Sequence, residues 1–131
     1  KSHMQLKRPN LFVHGEVPES APIIDEHCMM VVPLLSGSGM RAKILEGLAL
    51  GKVVLSTSIG LEGISATHKK DVMVANTVDQ FVDAVAYTLQ SNERLNQMAQ
   101  QAQMFVFEQY ASVNIAKRVM QAYSSQFAES V

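Results

Sequence analysis

From Ser36 to Glu46 the chain reads Ser-Gly-Ser-Gly-Met-Arg-Ala-Lys-Ile-Leu-Glu, and most of these residue types have a use beside an anion. Gly37 and Gly39 let backbone N–H groups approach a ligand with no Cβ in the way. A helix beginning at about Met40 leaves its first N–H groups without internal partners, and its dipole puts partial positive charge at that end. Together these make a site suited to a phosphate or diphosphate. Ser36 and Ser38 add hydroxyl donors, and Arg41 and Lys43 add positive charge. Glu46 falls about two turns into the helix, near Lys43 and Gly47 and off the apolar stripe of Ile44, Leu45 and Leu48. A carboxylate there cannot hold phosphate, but it can accept hydrogen bonds from sugar hydroxyls, as acids do for ribose in dinucleotide folds. Phosphate at a helix start and ribose along its side describe a nucleotide. The same letters also allow a plain strand-to-helix turn with a solvated Glu46 paired to Lys43.

The surrounding elements must supply that strand and that helix. Met29 to Leu34 is a continuous apolar run of strand length without polar alternation, the pattern of a strand covered on both faces. A helix is expected from about Met40 to Leu50, with Gly51 as its terminating glycine. Val53-Val54-Leu55 and Val72-Met73-Val74 read as further strands, and Leu11-Phe12-Val13 as a short one ending at His14-Gly15. Thr77-Val78-Asp79-Gln80 has the form of a capping box. Behind it, Val78, Phe81, Val82, Val85, Ala86 and Leu89 form one helical stripe. Asn92 is a candidate cap for a helix turning Leu95, Met98, Ala99, Ala102, Phe105 and Val106 inward. Ser112 is a candidate cap for a last helix carrying Ala116, Val119, Met120, Tyr123 and Phe127. Strands alternating with helices imply an α/β fold, a Rossmann-like parallel sheet with flanking helices. Ligands of such sheets sit beyond the carboxyl ends of the strands, here just after Val13, Val32 and Leu55.

The totals narrow the function classes. A chain of 131 residues suits one domain, and 47% apolar residues are enough for a core. A net charge of −1 speaks against gripping nucleic acid or anionic lipid by a basic face. The lone Cys28, inside an apolar run, allows no internal disulfide and reads as a small buried hydrophobe. No transmembrane segment and no secretory signal are visible, so a cytoplasmic domain is expected. Residues 1–4, Lys-Ser-His-Met, read as an expression-tag remnant; residues 5–131 then form a single, truncated domain. His14, His27 and His68 have no metal-ligand spacing.

Other nucleotide motifs fit less well. Gly51-Lys52 has Glu46 and Val53 where a Walker loop needs Gly and Ser or Thr. Gly37 to Ala42 matches the dinucleotide fingerprint G-x-G-x-x-A. The acid expected after the next strand is missing, since Ser56-Thr57-Ser58 follow Leu55 and Glu62 comes late.

Val32-Pro33-Leu34, Gly37-Ser38-Gly39, Lys43-Ile44-Leu45-Glu46, Gly51-Lys52-Val53-Val54 and Thr57 through Glu62-Gly63 follow one another in the order and spacing of group 1 (family 4-like) glycosyltransferases. The resemblance is to the carboxy-terminal, nucleotide-sugar-binding domain of a GT-B enzyme, and runs from about Leu11-Gly15 into the later helices. It implies an enzyme that moves a sugar from a nucleotide-sugar donor to an acceptor, with retention and without a cofactor or bound metal. The donor would meet Gly37, Ser38, Gly39, Met40, Arg41 and Lys43, with Thr57 and the Gly60 to Gly63 loop nearby. Glu46 matches the second acid of the family's E-x7-E pattern and would hold the ribose. Ser38 stands in the place of the first acid, which removes one carboxylate contact to the donor sugar. The partner such a domain requires is the amino-terminal acceptor-binding domain, absent here together with the basic pair of the first strands, so the chain alone is expected to transfer nothing. A dinucleotide-binding oxidoreductase fragment and a non-catalytic α/β interaction module are the alternatives that the residues leave open.

Overall fold

The computed structural model describes residues 8–37, 39–110, 120, 121, 124 and 125. Three strands, β1 (Met29–Val32), β2 (Val53–Ser56) and β3 (Met73–Val74), form a parallel sheet in the order β1-β2-β3. Met29 pairs with Val53, and Leu55 with Met73. Around it lie α1 (Ala21–Asp25), α2 (Arg41–Ala49), α3 (Val78–Leu89) and α4 (Asn92–Tyr110). The fold is α/β, with helices on both faces of the sheet. The first crossover runs through α2, whereas a series of turns carries the second.

β2 explains the layering. All four of its residues are buried, and successive side chains on a strand point to opposite faces. Val54 packs with Ile44 and Leu48 of α2 and Ala102 of α4. Val53 and Leu55 pack on the other face with Met73, Ala84 of α3 and Met98 of α4. α4 thus reaches both clusters, and its inward residues are the expected ones. Gly51 follows α2, its N–H bonded to the Leu48 carbonyl at 3.0 Å.

Several expectations are corrected by the tertiary contacts. Leu11-Phe12-Val13 is exposed and irregular, because no strand among the described residues offers it a ladder. β1 is an edge strand, so Val31 is 48% exposed although its run is apolar throughout. Cys28 is exposed, standing just before β1, where its carbonyl accepts from the Val53 N–H. α3 is rotated from the expected stripe. Phe81, Ala84, Val85 and Thr88 turn inward, while Val78, Val82, Ala86 and Leu89 are exposed. Overlapping arcs share the same helical period, and the smaller residues Ala84 and Thr88 allow the close approach. Thr88 satisfies its buried hydroxyl by donating to the Ala84 carbonyl at 2.9 Å.

The caps shift by one residue as well. Thr77 accepts from the Gln80 N–H at 3.2 Å, but the Gln80 side chain reaches the N–H of Asn76 rather than that of Thr77. Ser91, not Asn92, caps α4 by accepting from the Arg94 N–H. Of the helix expected after Ser112, the described residues 120, 121, 124 and 125 are helical and Met120 is exposed; the rest lies outside the described residues. No helix among the described residues is long and apolar enough to cross a membrane.

Candidate nucleotide cleft

The carboxyl ends of β1 and β2 open into a cleft of about 410 Å³ lined by Leu34, Gly37, Gly39, Met40, Arg41, Ile59, Gly60 and Glu62. Its position follows from the parallel sheet, since β1 and β2 both discharge their chains at this end. Gly37 and Gly39 have φ of +89° and +129°, a backbone shape that side chains disfavour, and a Cβ on either would meet open space. These two glycines are therefore required by the turn itself and leave its backbone uncovered toward the cleft.

α2 begins without a side-chain cap. Its first internal bond runs from the Ile44 N–H to the Met40 carbonyl, at 2.9 Å. The N–H groups of Arg41, Ala42 and Lys43 precede that ladder and carry the positive end of the dipole. Arg41 lies across the loop after β2. Its Nη2 donates to the Glu62 carbonyl at 2.7 Å, and a Cβ on Gly63 would stand 2.7 Å from the same nitrogen. The guanidinium has five N–H donors and commits one of them to that carbonyl, so a planar cation is held at the rim with donors to spare.

The eight residues expected to meet a donor thus fall into four groups. Gly37, Gly39, Met40 and Arg41 line the cleft together. Ser38 lies outside the described residues. Thr57 is buried beneath the loop, donating to the Leu34 carbonyl at 2.5 Å and receiving the Gly60 N–H at 3.0 Å. It ties the segment after β1 to the turn after β2, as Ser56 does one residue earlier by donating to the Val32 carbonyl. Lys43 and Glu46 sit further along α2 and face α1. Lys43 Nζ is 3.1 Å from Glu46 Oε2, and both bond to the Ser20 hydroxyl.

Along a helix Glu46 stands roughly 9 Å beyond Met40, the scale of a nucleoside's separation from its phosphate. The sequence signals Glu46 and Lys43 by spacing, but nothing in it signals Ser20, which is 26 residues away from Glu46 and ahead of a proline. The only local hint is that a serine stands just before Ala21-Pro22, a helix start. Leu34 and Ile59, apolar walls of the cleft, lie in segments that carry the family resemblance but were not expected to line the site. At the end of β2 there is no carboxylate of the dinucleotide type. The first acid is Glu62, and its backbone carbonyl is the group that Arg41 engages.

The layered α/β fold, with an uncapped helix and a glycine turn at the exit of a parallel strand, defines a Rossmann-like domain open at its ligand end. Residues 1–91 match the family of glycosyl transferases group 1, and the chain belongs to that family. It is also similar to an uncharacterized 44.6 kDa protein in the cps region of Klebsiella pneumoniae, at 28% identity over 121 residues. That match covers 92% of this chain and 29% of the relative, so the chain spans under a third of that protein's length.

Proposed function

We propose that the chain is the donor-binding part of a GT-B glycosyltransferase that moves a sugar from a nucleotide-sugar to an acceptor with retention. The observation that carries this reading is the uncapped start of α2 behind the Gly37–Gly39 turn, with the Arg41 guanidinium at the rim. As the bond to the sugar breaks, negative charge grows on the leaving diphosphate. Backbone N–H groups and the dipole already aimed there stabilise it without reorganising. Glu46 accepts the ribose hydroxyls and so fixes where the sugar carbon lies relative to the acceptor. Thr57 holds the loop after β2 beneath the nucleotide. Arg41 and the helix start supply the positive charge, while Lys43 is tied to Glu46, so the reading calls for no metal or other cofactor.

The acceptor is bound by a separate amino-terminal domain of the same enzyme, and residues 5–131 by themselves bind donor weakly and transfer nothing. Calorimetric titration with UDP, GDP and ADP tests the reading. One of the three binds saturably, and Glu46→Ala weakens it by about 10- to 100-fold, the loss of charge-assisted hydrogen bonds. Unchanged affinity in Glu46→Ala removes the ribose role, and sugar transfer by this chain alone removes the division of labour.

A further inference from the structure

Ser20 is the N-cap of α1, yet its side chain makes no capping bond. Pro22 occupies the second helical position and has no N–H to offer. The hydroxyl is turned instead to α2, where it lies 3.3 Å from Glu46 Oε1 and 3.2 Å from Oε2. Lys43 Nζ donates to the same hydroxyl and to Oε2. The three side chains form a closed polar cluster, with each member holding the other two.

A carboxylate has about four acceptor sites. Ser20 shares its one proton weakly between the two oxygens and Lys43 takes a site on Oε2, which leaves Oε1 the freer oxygen for a ribose hydroxyl. Without Ser20, Glu46 would be held by Lys43 alone, in an exposed pair of little strength and loose geometry. We propose that Ser20 is a positioning residue that presets the Glu46 carboxylate for the ribose diol and so sets the preference of the site for ribonucleotides. The proposal rests on the donor-binding reading above. The hydroxyl works by fixing the carboxylate before the ligand arrives, which reduces the ordering cost of binding.

The test is calorimetric titration of the chain with UDP, GDP and ADP, each against its 2′,3′-dideoxy counterpart, and with pyrophosphate. In the wild type the nucleotide that binds is favoured over its dideoxy form by at least about tenfold. Ser20→Ala cuts that preference to about threefold or less while pyrophosphate affinity stays as in the wild type. Ser20→Thr keeps the preference, and its near-isostere Ser20→Val loses it, which separates the hydroxyl from any general effect on folding. An undiminished preference in Ser20→Ala and Ser20→Val overturns the role of Ser20 and leaves that of Glu46 standing. Equal binding of ribo and dideoxy forms by the wild type overturns the ribose role of Glu46 and this proposal with it, and no nucleotide binding overturns the donor-site reading itself.

Discussion

The cleft above β1 and β2 holds about 410 Å³, and a second cleft, between β3, α3 and the turn at His68, holds about 640 Å³. In the larger one most polar groups serve the fold, and Asp83 places a carboxylate in the lining that would repel an anion. His68 Nδ1 accepts from the Val74 N–H at 2.9 Å, which caps a backbone donor of edge strand β3. Gln80 accepts from Asn76, Asn76 is bonded twice to Ser58, and the Lys69 ammonium rests over the Tyr87 ring. In the smaller cleft the groups that matter are backbone N–H groups outside the helix ladder and a guanidinium with donors left over. Size alone would pick the larger cleft. Uncommitted hydrogen-bonding capacity picks the smaller, because a donor already engaged in the apo fold gains little by meeting a ligand.

The contrast can be broken in three ways beyond the Glu46 and Ser20 variants. The largest expected effect comes from Gly39→Val. A branched side chain at φ +129° strains the turn by about 1–3 kcal/mol and covers the backbone donors. Nucleoside diphosphate binding should be abolished in titration while a thermal melt still shows a folded protein. Retained affinity would mean that the glycine turn is only a turn. Next is Thr57→Val, which leaves the Gly60 N–H without its acceptor and removes the donor to Leu34. A destabilisation of about 1–3 kcal/mol by denaturant melts is expected, with nucleotide affinity changing little in protein that stays folded. A loss of affinity without a loss of stability would make Thr57 a direct ligand contact instead. The smallest is His68→Ala in the larger cleft. It uncovers the Val74 N–H and should cost about 1 kcal/mol of stability, with no change in the affinity for any nucleoside diphosphate. A nucleotide effect there would move the binding site to the edge of β3.

How legible the molecule was in its letters depends on the range of the forces involved. α2, β2 and the inward residues of α4 were readable, since helical and strand periods are local and these segments meet neighbours on their expected faces. Gly37 and Gly39 were readable because their backbone shape is set within the turn. The exposed Val31 and Cys28, the irregular Leu11-Phe12-Val13 and the rotated face of α3 were not. Each depends on which neighbour lies alongside, and a run of apolar residues reads alike at an edge and at the centre of a sheet.

The sequence by itself determined the class of fold, the place of the glycine turn before α2 and the membership of a glycosyltransferase family, because all three reside in short-range pattern and order. Only the tertiary structure decided that Thr57 is a buried tie, that Arg41 spans to Glu62 and that Ser20 meets Glu46 across 26 positions. Hydrogen bonds act over about 3 Å, and the chain's path through the sheet, not the spacing of its letters, brings distant residues within that reach.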